Sequence, residues 1–152
     1  MKTIVLISST GGHRSQVIEL KKELIDIEKI KLFEITEKNN SSKDDDTYYL
    51  KQQDRKSIYI MPILAYNIIK SLYLFLKLKP DLVISTGAGV VIPFLVYSKI
   101  FRKKVWFIES FSKVKTPTMT GKIVYKFADR FFVQWETLLS FYPKAEYKGK
   151  IY

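Results

Sequence analysis

Two short stretches hold residue types suited to an anionic ligand: Ser8-Ser9-Thr10-Gly11-Gly12-His13 and Ser85-Thr86-Gly87-Ala88-Gly89. Each follows an apolar run of strand character and precedes a segment with helical spacing. Strand, glycine turn and helix in that order aim backbone N–H groups and the positive end of a helix at one point, where a phosphate fits. Glycine tolerates positive φ and leaves no Cβ in the way of an approaching group. Two such loops at the carboxyl ends of neighbouring central strands would face one crevice, and two adjacent nests suit a diphosphate better than a single phosphate. The patterns G-x-G-x-x-G and the P-loop lysine are absent, so neither a dinucleotide fingerprint nor a P-loop is claimed. For the first stretch alone, a tight strand-to-helix turn with no ligand stays open as the alternative.

The elements that must carry these loops alternate along the chain, which predicts an α/β fold: a Rossmann-like, doubly wound, mostly parallel sheet. The run Ile4 to Ile7 reads as a buried first strand. Val17, Leu20, Leu24 and Ile27 recur at helical spacing over 13–28. Residues 31–36 alternate as a second strand. The polar stretch 37–56 reads as a long loop with a short turn near Tyr48 to Leu50, and 57–60 as a third strand. Asp44-Asp45-Asp46 lies in that polar stretch and reads as a solvated acidic loop, not a metal site. A helix is expected over 62–79, a strand over 81–85, a helix over 90–101 and a strand over 104–109. After a loop at 110–118 come a helix at 120–128, a strand at 130–134, a helical turn at 136–141 and a short strand at 145–148. Glu109 ends the fifth strand, and a charged residue at the carboxyl end of a central strand is expected at the crevice.

With 152 residues and 47% hydrophobic content, the chain reads as a single domain, 1–152, with a real core. It has no cysteine and one histidine, which excludes disulfides, thiolate metal sites and multi-histidine clusters. The first apolar run is only a strand long and ends in glycines, so it does not read as a signal peptide. The formal charge of +11 is unevenly placed. Residues 14–56 balance ten basic against ten acidic residues, whereas 57–130 carry twelve basic residues against Asp81, Glu109 and Asp129. That basic part is also the most hydrophobic, which suits an anionic membrane better than a nucleic acid. The helix at 62–79 is apolar around most of its circumference, with Asn67, Lys70, Ser71 and Lys77 as a narrow polar strip. A charge near mid-span argues against crossing a bilayer, which needs ~20 apolar residues. The helix either packs one side on the sheet and offers the other to lipid, with Lys70 and Lys77 at headgroups, or is wholly buried.

Four segments together resemble one family: SSTGGH (8–13), STGAGVVIP (85–93), FIESFSKVKTPTMTGK (107–122) and FADRFFVQW (127–135). It is the membrane-associated subunit of the two-part N-acetylglucosaminyltransferase that extends dolichyl-diphosphate-GlcNAc. Its bacterial relatives act in capsule and exopolysaccharide assembly as glycosyltransferase enhancers. More distantly the chain resembles the N-terminal half of the peptidoglycan N-acetylglucosaminyltransferase. One departure is that the eukaryotic subunit's N-terminal anchor has no counterpart, because the first strand begins at Thr3.

The resemblance implies the N-terminal half of a GT-B glycosyltransferase, with the UDP-sugar donor bound mainly by a small partner subunit. It implies an acceptor sugar linked through diphosphate to a polyprenol, held at Thr10, Gly11, Gly12, Thr86, Gly87 and Gly89. Transfer would invert the donor sugar, with His13 as first choice of base and Glu109 second, as base or as orienter of the acceptor sugar. Lys113 and Lys115 would meet headgroups or acceptor phosphates. The scheme calls for no metal, no other cofactor and no nucleic acid, and places the chain peripherally on the cytoplasmic face of the membrane. Two other readings stay open: a pure membrane scaffold, and a basic module that binds nucleotides or RNA.

Overall fold

The structure, a computed structural model, describes residues 1–38, 46–53, 56 and 58–152. Seven parallel strands form one sheet in the order β3-β2-β1-β4-β5-β6-β7. They are β1 (Lys2–Ile7), β2 (Ile30–Glu37), β3 (Thr47–Leu50), β4 (Leu82–Ser85), β5 (Lys104–Ile108), β6 (Arg130–Val133) and β7 (Glu146–Tyr147). The helices are α1 (Gly12–Ile25), α2 (Ile60–Leu78), α3 (Ile92–Ile100) and α4 (Met119–Val124). A 3-10 turn, Gly89–Val91, leads into α3, and another spans Glu136–Ser140.

The strands sort their side chains by alternation, as a sheet buried on both faces requires. Ile4 and Leu6 of β1 join Ile84 and Val17 of α1 on one face. Val5 and Ile7 join Val83, Val105, Phe107, Phe131 and residues of α2 and α3 on the other. Chain order steps from β1 to β2 and β3 on one side, then returns to β4 on the other side of β1. The reversal between β1 and β4 is the switch point, and in open sheets of this kind ligands bind outside the carboxyl ends of the strands at that point.

Three elements differ from expectation. The third strand is not at 57–60, where Ile58 and Tyr59 form a turn and Ile60 opens α2; Ser57 lies outside the described residues. It is Thr47–Leu50, paired in parallel with β2 from Glu34↔Thr47 to Glu37↔Leu50. Backbone pairing to an existing edge turns a four-residue β-prone run, too short to declare itself, into a strand. Helix α1 stops at Ile25 because Lys29 takes a left-handed φ of 67° and Ile30 already starts β2. Helix α4 ends at Val124, short of the expected Ala128. Of the acidic run, Asp44 and Asp45 lie outside the described residues.

Helix α2 is inverted relative to an ordinary surface helix. Asn67 and Ser71 are buried against the protein, together with Leu74, Phe75 and Leu78. The Asn67 side chain clamps the backbone of Lys51, accepting from its N–H at 2.9 Å and donating to its carbonyl at 2.8 Å. Met61, Ile69, Tyr73 and Leu76 lie outside on one stripe, and Ile69, Tyr73 and Leu76 are 71%, 54% and 51% exposed. Of the polar strip read from sequence, Asn67 and Ser71 therefore face inward while Lys70 is half-buried and Lys77 exposed, and total burial of this helix is ruled out. In length and composition α2 could cross a membrane, but one of its faces is committed to the sheet.

Candidate functional site: the crevice at the β1–β4 switch

The two glycine loops meet at the switch point and lock together through His13 and Thr86. Thr86, fully buried, donates from Oγ1 to the His13 carbonyl at 2.8 Å. In return the His13 ring hydrogen-bonds through Nδ1 to the Thr86 carbonyl. A carbonyl can only accept, so Nδ1 carries the proton and Nε2 is the proton-accepting nitrogen of the neutral ring. The ring is half-buried.

Gly87 makes this approach possible. A Cβ there would stand 2.7 Å from Val91 Cγ1 and 3.0 Å from the backbone of Ser8 and Ser9. Its first role is close packing between the loops. Gly11 differs: it takes φ of 73° before α1, and the space beside Gly11 and Gly12 is open. Gly89 has only an ordinary contact with Gln53.

The threonine hydroxyls are used within the protein, contrary to the expectation that they face a ligand. Thr86 is spent on His13. Thr10 donates from both its N–H and its Oγ1 to Glu37 Oε2, at 3.2 Å each. Glu37, buried at the end of β2, also accepts from the Gln53 N–H at 3.0 Å. A carboxylate thus sits beside the first glycine loop and opposes the positive helix end there.

Glu109 lies past the end of β5 but is wholly buried instead of facing the crevice. Its Oε1 accepts from the Ser110 N–H and Thr118 Oγ1, both at 2.8 Å. Its Oε2 accepts from the Thr118 N–H at 3.1 Å and the Tyr142 hydroxyl at 2.7 Å. Burial, and then the neighbouring Glu109, hold the Tyr142 phenol protonated far above its usual range, so it remains a donor. A Cβ on Gly121 would fall 2.1 Å from Glu109 Oε2, so only glycine leaves room for the carboxylate. Arg130 pairs not with Glu109 but with Glu146, through two bonds at 2.8 and 2.6 Å.

Gln134 ties this cluster to the crevice rim. It donates to Gln16 at 3.0 Å and the Glu109 carbonyl at 2.9 Å, and accepts from the Ile151 N–H at 3.1 Å. Tyr152 then packs edge-on against Phe111 and donates to the Gly12 carbonyl at 3.3 Å. Lys113 is half-buried and Lys115 exposed, and neither makes an ion pair among the described residues. Lys70 and Lys77, on α2, lie over the rings of Tyr73 and Tyr48.

This arrangement can be set beside known proteins. The family model described as "Oligosaccharide biosynthesis protein Alg14 like" matches residues 57–151. The chain belongs to the Alg14-like family. "UDP-N-acetylglucosamine transferase subunit ALG14" of Rattus norvegicus is 28% identical over 177 residues, covering 97% of this chain and 82% of the relative. The Homo sapiens subunit of the same name is 28% identical, covering 98% and 82%. Among solved structures, Acinetobacter baumannii MurG superposes with a TM-score of 0.71 at 14% identity, over 90% of this chain and 43% of that one. A UDP-N-acetylglucosamine 2-epimerase gives 0.68 at 14% identity, over 91% and 43%. The Alg14-like chain spans less than half of either solved structure, and the fold is a Rossmann-like layer of the GT-B type.

In this Alg14-like chain the family match takes in the second glycine loop and the Glu109 cluster. Sequence reasoning missed Glu37, Gly121, Gln134 and Tyr142. For Glu37 a signal exists, a charge at a strand's carboxyl end, but the alternation over 31–36 stops one residue short of it. Tyr142 and Gln134 carry no local pattern, since their partners are distant in sequence.

The close packing at Gly87 sets an expected contrast. Gly87→Ala should cost about 1–3 kcal/mol through overpacking. Gly12→Ala, in open space, should stay within about 0.5 kcal/mol of the parent. Urea unfolding midpoints at unchanged slope measure both.

Proposed function

We propose that this chain is the acceptor-side subunit of a two-chain inverting glycosyltransferase. It would hold a polyprenyl-diphosphate-linked saccharide at the membrane while a small partner subunit binds the UDP-sugar. By the relatives' name that sugar is N-acetylglucosamine, and by the sequence resemblance the setting is capsule or exopolysaccharide assembly. The reading is carried by the His13–Thr86 lock, which sets one basic nitrogen at the switch point of a single Rossmann-like layer. The relatives' name, a transferase subunit, supports a second, donor-binding chain.

On this reading His13 Nε2 takes the proton of the acceptor hydroxyl as that oxygen attacks the anomeric carbon. The new glycosidic bond forms as the bond to UDP breaks, with inversion. The protonated ring keeps its Nδ1–H on the Thr86 carbonyl throughout, so its orientation does not change as it gains charge. No metal or other cofactor enters the scheme.

Membrane contact is assigned to the outer stripe of α2, peripherally and on the cytoplasmic face. Its apolar residues would enter the interface while Lys70 and Lys77 meet anionic headgroups. The buried Asn67 clamp keeps the opposite face on the sheet.

In the reconstituted pair, His13→Ala should lower kcat by roughly 10²–10⁴-fold with the fold intact. Near-parental turnover would instead make the chain a recruiting scaffold without chemistry of its own. Replacing Ile69 and Leu76 together by glutamate should weaken binding to vesicles containing phosphatidylglycerol at least about tenfold. The unfolding midpoint should move little, because both side chains are more than half exposed. Unchanged vesicle binding would assign membrane contact to another surface.

A further inference from the structure

The segment 110–118, after β5, is tied down at both ends and in the middle. At its start the Ser110 N–H binds Glu109, and at its end Thr118 binds Glu109 through both N–H and hydroxyl. Between them, Trp135 Nε1 donates to the Phe111 carbonyl at 2.7 Å, and Thr137 Oγ1 donates to the Val114 carbonyl. Both end ties converge on one fully buried carboxylate, whose remaining donor is the Tyr142 hydroxyl at 2.7 Å. Loops on a protein surface are seldom fixed this way without a reason to hold a side chain still.

The segment carries Lys113, half-buried, and Lys115, exposed, without an acid to pair with among the described residues. It also joins the crevice, because Phe111 packs on Tyr152 and Tyr152 reaches the Gly12 carbonyl. The first glycine loop, by contrast, has both Thr10 donors turned onto Glu37. A carboxylate there repels an incoming phosphate. Of the rim segments, 110–118 is therefore better placed to receive the negative end of a ligand.

We infer that Glu109 is a positioning residue: with Tyr142 it fixes 110–118 in the shape that presents Lys113 and Lys115 to a diphosphate. It touches no substrate and moves no proton. Naming that diphosphate as the acceptor's rests on the function proposed above; the affinity of the segment for a diphosphate does not.

The test is calorimetric binding of geranyl diphosphate and of inorganic pyrophosphate to the full chain. Lys113→Ala with Lys115→Ala should weaken both ligands about tenfold or more, as expected for losing charge-assisted hydrogen bonds. Tyr142→Phe and Glu109→Gln should weaken them in the same direction although neither removes a cation. Adding Tyr142→Phe to the double lysine variant should cost less than about twofold further, because the sites act as one unit. Should Tyr142→Phe fail to fold, Thr118→Ala removes a donor from the loop side of the same carboxylate. Failure of the parent chain to bind either probe would overturn the inference. So would a Tyr142→Phe chain with a lowered melting temperature but parental affinity, since the role would then be structural only. In the reconstituted transferase, positioning predicts a raised acceptor KM with kcat within about threefold for both Glu109→Gln and Tyr142→Phe. Collapse of kcat in Glu109→Gln alone would make Glu109 a base and sink the idea. If the pair transfers no sugar while the binding results hold, the proposed function fails and this inference stands.

Discussion

The crevice depends on a reciprocal lock between two loops that are distant in sequence. His13 and Thr86 exchange hydrogen bonds, ring to carbonyl in one direction and hydroxyl to carbonyl in the other. The exchange is possible only because β1 and β4 are neighbours and Gly87 lets the backbones of their loops nearly touch. Without the lock, the histidine would lose both its tautomer and its direction. A flexible imidazole at a helix start is a common surface feature; one pinned by a buried partner is a tool. Gly87 thus serves first as the clearance that lets the two loops meet.

Much of this fold was legible because its grammar is local. Strand, glycine and helix recur at 4–13 and 82–100, and the β-branched runs at Ile4 to Ile7 and Val83 to Ile84 announce strands buried on both faces. What stayed hidden was decided by partners far along the chain. Thr47–Leu50 is a strand because β2 offers an edge for it, which no window of four residues reveals. Glu109 read as a crevice acid because position at a strand end is all a sequence shows. Its burial follows from Tyr142 and from the missing Cβ of Gly121. The same blindness affected the hydroxyls. Thr10 and Thr86 sit on the two loops that follow β1 and β4, but their hydroxyls are engaged by Glu37 and His13.

The apolar helix shows where composition misleads and where geometry decides. A stretch such as Ile60–Leu78, hydrophobic nearly all round, is consistent with a core helix, a span or an interfacial helix. A core helix would bury its apolar side chains and expose Asn67 and Ser71. A span would present apolar side chains on every side that is not packed against another helix. Here the protein-facing side carries two polar residues and the outer side carries Met61, Ile69, Tyr73 and Leu76. An exposed apolar stripe of this kind costs solubility unless something covers it. The Asn67 clamp on Lys51 explains how the inversion is tolerated, since the buried amide satisfies two backbone groups that would otherwise lack partners. Selection for stability alone has no need of this arrangement, because exchanging the polar and apolar positions would bury more hydrocarbon. The inversion makes sense where the outer surface has a use, and the cations at Lys70 and Lys77 beside the stripe match an anionic, lipid-like surface in both chemistry and sign.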